Sequence, residues 1–304
     1  MSKKPKVGMW SGLTAVTAVL TAGAIVGTTV AFHYTTTVNN YLDADTYKII
    51  RGDSDEDTEY FKSDFTSDEE RESYEAELCA QVEAEGAALL KNDNNALPLA
   101  SGAKVSLFGH GSVDLMYGGT GSGSVDTSKA PNFKQALEDQ GIQVNSTLWD
   151  LYSSDDMMKN YSRITPAAIS DTLEANTQYA VNEAPWSKLS SAESSFADYG
   201  DAAIVVFSRS GGEGADLPSG ENGTNDSWIK GQEGDGNYLA LSAEEKELLQ
   251  NLKTLKDNGT FKKIIVLINS SNAIEMDFLN PEICGEDYGI DSAMWIGDVG
   301  QTGI

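Results

Sequence analysis

Cysteine, histidine and basic charge are scarce in this sequence, and each shortage removes a class of function. The 304-residue chain holds two cysteines, Cys79 and Cys284, and two histidines, His33 and His110. That supply builds no disulfide framework and no four-ligand zinc site. With His33 and His110 as its only histidines, the chain nearly excludes Ser-His-Asp or histidine-rich metal chemistry, and neither a metal nor a cofactor is expected. Against 47 Asp and Glu stand only 21 Lys and Arg, a formal net charge of −26. Without a basic face the chain is a poor partner for nucleic acid or anionic lipid. Carboxylate chemistry is what remains.

Charge of either sign is missing from Val7 to Phe32, a run long enough to cross a bilayer as a helix. Lys3, Lys4 and Lys6 precede it and the next charge is Asp43. The positive-inside rule then puts the N-terminus in the cytoplasm and the remainder outside. A signal peptide is the alternative, but its apolar region is normally shorter, and Ala22-Gly23-Ala24 lies in mid-run. The expected organisation is an anchor over residues 1–34, an acidic spacer over 35–66 and one large domain over 67–304.

In that domain strands and helices alternate. Ser67 and Glu70 read as a capping box, opening a helix whose Tyr74, Leu78 and Val82, with Leu89 and Leu90 beyond, are expected to pack on the core. Strands are expected at Lys104–Gly109, Ile142–Asn145, Ala202–Ser208, Lys263–Asn269 and Ser292–Gly297. Helices are expected at Pro131–Gln140, Ala167–Glu174, Ser191–Phe196 and Ser242–Lys256, the last with a second capping box at Ser242 and Glu245. This predicts an α/β fold, a mostly parallel sheet sandwiched by helices. Gly300 to Ile304 opens an element that has barely begun, which points to a truncated reading frame or a fragment.

Two glycine-rich stretches follow strands. After the apolar run Ala202–Phe207 comes Gly211-Gly212-Glu213-Gly214, which holds a carboxylate out from the carboxyl end of the sheet. Ligands bind at that edge of open α/β sheets. Glu213 reads either as a solvated loop acid or as a general acid/base, the latter if partial burial raises its pKa. Earlier, Tyr117 to Val125 reads Tyr-Gly-Gly-Thr-Gly-Ser-Gly-Ser-Val. It is no Walker loop, since Gly123 is followed by Ser124 and Val125 rather than Lys. It is no dinucleotide fingerprint either, since Asp114 stands where the third Gly after Gly109 and Gly111 belongs. A solvated loop, or a loop that meets sugar hydroxyls, remains. His110 reads as a strand-end polar residue.

Together these segments resemble the α/β-sandwich domain of glycoside hydrolase family 3, the β-glucosidase family. The resemblance rests on Glu85-Gly86-Ala87-Ala88-Leu89-Leu90-Lys91-Asn92 with Ala96-Leu97-Pro98-Leu99, on Tyr117 to Gly123, and on Ser210-Gly211-Gly212-Glu213-Gly214-Ala215-Asp216. Leu241-Ser242-x-x-Glu245, Val266 to Asn269 and Trp295 to Gly303 complete it. It implies a retaining, exo-acting hydrolase of β-linked glycosides or oligosaccharides, with Glu213 as acid/base and Glu221 as its nearest competitor. Tyr117, Gly118, Gly119, Ser122, Asp216 and Trp228 are the implied substrate contacts. Asp216, Glu221 and Asp226 read equally well as solvated acids, and Trp228 as a buried structural ring. The family's nucleophile lies on a (β/α)8-like barrel; with no barrel before Tyr60, a circularly permuted order is implied, the barrel following or acting in trans. Two departures stand out: an extra glycine before Glu213, and Leu217 where the family often has Arg. The rival readings are a membrane-tethered, non-catalytic carbohydrate-binding module and an inactive gene fragment.

Overall fold

The computed structural model describes residues 7–42, 62–128, 130–165, 179–213, 217 and 237–301. The chain divides into two compact units, Met1–Ser63 and Asp64–Ile304.

The first unit is helical, with α1 at Val7–His33 and α2 at Thr35–Tyr41. Within α1, Trp10–His33 is long and apolar enough to cross a membrane, a test that a signal sequence also passes. Its threonines turn their hydroxyls inward: Thr14, Thr17 and Thr29 donate to the carbonyls of Trp10, Leu13 and Ile25, each at 2.9 Å. Such back-bonding satisfies a hydroxyl without water. Residues 35–41, the start of the expected spacer, are helical; most of the acidic run lies outside the described residues.

The second unit is a six-stranded sheet with helices on both faces. In chain order it comprises α3 (Asp68–Gly86), β1 (Ala88–Asn92), β2 (Lys104–Phe108), α4 (Phe133–Asp139) and β3 (Gln143–Val144). Then come α5 (Ser146–Tyr152), α6 (Asp155–Tyr161), β4 (Ala202–Ser208), α7 (Ala243–Asp257), β5 (Ile264–Asn269), α8 (Pro281–Cys284) and β6 (Ser292–Trp295). The spatial order is β1-β6-β5-β4-β2-β3. Among the described strands only β1 runs antiparallel, on β6; every other strand pairing is parallel. Counted from β2, the parallel strands stand in the doubly wound order 2-1-3-4-5, so the chain reverses direction across the sheet between β2 and β4.

Alternation along the strands divides the core. Phe108, Val205, Phe207, Val266 and Ile268 face one layer, with Leu248, Leu249 and Leu252 of α7 and Phe196. Val105, Leu107, Ile204 and Ile265 face the other, beneath Phe133 and Leu137 of α4. All seven residues of β4 are buried, as a central parallel strand requires. The capping box of α7 is formed by Ser242 and Glu245.

Several expectations need correction. Ser67 caps α3 by accepting from the Glu70 amide, but the Glu70 carboxylate reaches past it to the Thr66 amide and hydroxyl, at 2.8 and 2.7 Å. Helix α3 buries nothing: Tyr74, Leu78 and Val82 are 52, 43 and 63% exposed, and Leu89 and Leu90 are exposed as well. Three apolar residues on a helix dense in Glu make too narrow a stripe to seat it on the sheet. The α5 and α6 helices were not expected. They are seven residues each, too short for periodicity to show, and are announced only by their caps, Asn145 and Ser154. The Ser191–Phe196 helix is a 3₁₀ segment at Glu193–Tyr199. The helix expected at Ala167–Glu174 lies outside the described residues.

Candidate active site

The loops after β2 and β4 meet where the sheet reverses direction, the place where open α/β sheets form a ligand crevice. Their contact is backbone first. Thr120 and Gly212 form an isolated parallel bridge, with the Thr120 amide donating to Gly211 O at 3.3 Å. The Thr120 hydroxyl donates to Glu213 O at 2.8 Å and receives the Tyr179 phenol at 3.3 Å. This approach accounts for the doubled glycine. A Cβ on Gly212 would lie 2.5 Å from the Thr120 amide, at a φ of +144° that side chains rarely adopt, and one on Gly211 would strike the Asn272 amide.

Glu213 reaches back across this seam. Its Oε2 accepts from the Ser122 amide at 3.0 Å and from the Ser122 hydroxyl at 2.7 Å. Those two donors hold its carboxyl below the usual glutamate range, the amide contributing most. A pKa raised by burial is therefore not what this chain shows: Glu213 is exposed, and its hydrogen bonds to the charged form outweigh the opposing desolvation.

Four polar side chains rigidify the base of the two loops. Arg209, wholly buried, donates to Glu245 at 2.8 and 2.7 Å and to the carbonyls of Ser208, Tyr238 and Ala240. Glu245 thus closes the α7 cap and neutralises the strand-end guanidinium together. The Tyr238 phenol donates to Ser210 O at 3.1 Å and accepts from Ser210 N at 2.8 Å, and burial pushes its pKa up to about 12. At the end of β5, the Asn269 amide accepts from Met116 N and donates to Met116 O and Gly297 O. Arg163 donates to the Asp114 carboxylate at 3.0 Å and to the carbonyls of Asp114 and Leu115.

Beside this frame opens a cleft of about 260 Å³ lined by Tyr117, Gly118, Gly119, Asp114, Arg163 and Val125 among others. Three of the expected substrate contacts are thus brought together. The Tyr117 hydroxyl donates its proton to Pro131 O at 2.8 Å. Ser122 is turned to Glu213. Asp216, Glu221, Asp226 and Trp228 lie outside the described residues. A larger cleft of about 510 Å³, lined by Lys246, Glu275, Asp277 and Tyr288 among others, contains none of these groups.

Residues 87–303 match the family model of the glycosyl hydrolase family 3 C-terminal domain. The chain belongs to this family. It is 29% identical over 230 residues to a β-glucosidase of Ruminococcus albus, covering 75% of this chain and 20% of that one. It is 31% identical over 216 residues to β-glucosidase A of Butyrivibrio fibrisolvens, covering 66% of this chain and 23% of that one. Among solved structures, a β-glucosidase from Paenibacillus barengoltzii superposes with a TM-score of 0.53 at 26% identity, over 74% of this chain and 21% of that one. β-Glucosidase 3B of Thermotoga neapolitana, solved with glucose, shares the fold at a TM-score of 0.52 and 24% identity, over 77% of this chain and 28% of that one. The chain thus spans about a fifth to a quarter of the length of the curated relatives it matches.

Within this family 3 domain, Arg163, Arg209, Tyr238 and Asn269 escaped the reading of the sequence. Arg209 and Asn269 do carry a signal: each is a hydrogen-bonding residue at the end of an apolar strand, where its partners must be other loops. Arg163 and Tyr238 carry none that a single sequence exposes.

Proposed function

We propose that this domain supplies the acid/base and one wall of the sugar site of a retaining, exo-acting, β-glucosidase-like hydrolase. The observation that carries the reading is the meeting of the Tyr117–Val125 loop with Glu213 at the point where the sheet reverses, inside the family-matched segment. Glu213 protonates the departing glycosidic oxygen and later removes a proton from water. The opposing carboxylate, about 5–5.5 Å from it in a retaining site, comes from a (β/α)8-like barrel that follows this domain or joins it in trans. Burial beneath that barrel opposes the Ser122 hydrogen bonds and raises the Glu213 pKa to where a general acid works. Tyr117, Gly118 and Gly119 receive the sugar, with Asp216 and Trp228 from the neighbouring segment. Helix α1 tethers the domain to the outer face of a membrane.

In the barrel-containing enzyme, Glu213→Gln is expected to lower kcat/KM for unactivated β-glucosides by about 10²- to 10⁴-fold. Glu213→Ala should recover turnover of aryl glucosides with azide, which captures the glycosyl-enzyme as a β-glycosyl azide. Full activity in Glu213→Gln, with no azide product from Glu213→Ala, sinks the assignment. The ionised, exposed state of Glu213 favours one rival, a tethered carbohydrate-binding module. That rival predicts sugar binding without the barrel and indifference to Glu213→Gln.

A further inference from the structure

We propose that Ser122 is a positioning residue for Glu213, its amide and hydroxyl gripping Oε2 so that Oε1 is presented to the bound sugar. The inference deepens, and rests on, the reading of Glu213 as acid/base. Both donors of Ser122 converge on Oε2, at 3.0 and 2.7 Å. Among the described residues Oε1 takes no hydrogen bond. The grip is built into the loop rather than left to chance rotamers. Thr120 fixes the Glu213 carbonyl, and Gly121 takes a φ of +68°, where a Cβ would lie 2.7 Å from both Cβ and Oε2 of Glu213. No other residue type allows the two loops to close so far. Of the titratable groups in the adjoining segments, Tyr179 touches the clasp, through Thr120.

A donor pair on one carboxylate oxygen does two things. It orients the carboxyl, since a two-point grip on Oε2 removes rotation about the terminal torsion. It also favours the ionised form, the form needed in the second half of the reaction. There, Oε1 accepts a proton from water while the water oxygen bonds to the anomeric carbon and the glycosyl ester bond breaks. In the first half, Oε1–H gives its proton to the leaving oxygen as the C–O bond breaks and the nucleophile bonds to carbon. Ser122 therefore acts on both steps through Glu213 and is not itself required to touch the sugar.

The clasp is tested first in the 304-residue chain, following the Glu213 carboxyl carbon by ¹³C NMR through a pH titration. The Ser122→Ala titration should move to higher pH, and Ser122→Thr, which restores the hydroxyl, should move it back. Identical titrations in all three overturn the proposal. The role is then tested in the barrel-containing enzyme. Ser122→Ala should shift the alkaline limb of kcat/KM upward and slow hydrolysis of the glycosyl-enzyme. In the Glu213→Ala background the same change should cost nothing further. A rise in KM that persists in that background, with the limb unmoved, makes Ser122 a sugar contact and overturns the positioning role. Failure of azide rescue in Glu213→Ala strikes the acid/base reading alone, because the NMR titration needs no catalysis.

Discussion

Tyr238 shows how much of the candidate site depends on residues that do not face it. Its phenol satisfies both the amide and the carbonyl of Ser210, three residues before Glu213, in a setting that keeps it protonated up to about pH 12. Tyr238→Phe removes the hydroxyl to which both backbone groups of the wholly buried Ser210 are bonded. It is expected to cost about 1–3 kcal/mol in urea unfolding. In the barrel-containing enzyme it should also lower kcat with little change in KM, as the Glu213 loop loses its registry. Arg209 does comparable work from below, since its guanidinium joins β4, the Tyr238–Ala240 turn and α7 through Glu245. A buried ion pair of this kind adds little net stability over an apolar replacement, but removing one partner strands the other charge in the interior.

Helices α3 and α7 show that a shared capping serine does not decide whether a helix packs on the sheet. Both begin with a capping serine, but α7 carries Leu248, Leu249, Leu252 and Leu255 at helical intervals, whereas α3 holds a single leucine, Leu78. Helix α7 buries Leu248, Leu249 and Leu252 against the sheet, whereas α3 leaves Tyr74, Leu78 and Val82 exposed. The apolar face and the receiving surface both differ: α7 is strongly two-faced and packs with β4 and β5, whereas α3 has only a narrow apolar stripe and leads into the edge strand β1. In this chain Leu249→Ala should lower the unfolding free energy by about 2–5 kcal/mol. Leu78→Gln should change it by no more than about 0.5 kcal/mol. Chemical denaturation of the two variants side by side decides the matter; comparable losses would mean that α3 is packed after all.

The molecule as a whole is strongly acidic, with a formal net charge of −26, and the fold crowds some of that charge inward. Asp298, beyond β6, accepts the Ser271 amide at 3.1 Å, yet burial pushes its carboxyl above the usual aspartate range. A folded-state pKa raised above the unfolded value means stability present at low pH and lost as pH rises through the folded pKa. Asp298→Asn is therefore expected to raise Tm at pH 7 and to leave it unchanged near pH 3, below the ordinary aspartate pKa of about 3.9. Equal effects at both pH values would show that the hydrogen bond to Ser271, rather than the charge, governs this site. For the first unit, α1 predicts co-sedimentation with membranes that resists high salt and yields to detergent, since its exposed surface is apolar and uncharged.

What the sequence determined by itself was local and periodic. The six apolar residues of β4, the Ser242–Glu245 cap of α7 and the uncharged α1 run all follow from backbone preference and side-chain polarity, and all stand where the pattern placed them. What only the tertiary structure decided was contact between segments far apart in the chain. Ser122 meets Glu213 across 91 positions, Met116 meets Asn269 across 153, and Arg209 meets Glu245 across 36. None of these pairings leaves a periodic trace, because each is set by which strands the sheet makes neighbours. Glu213 illustrates the division. Its place in the loop after β4 is legible in the glycines around it, but the downward shift of its pKa comes from Ser122, a partner that only the order of β2 and β4 brings within reach.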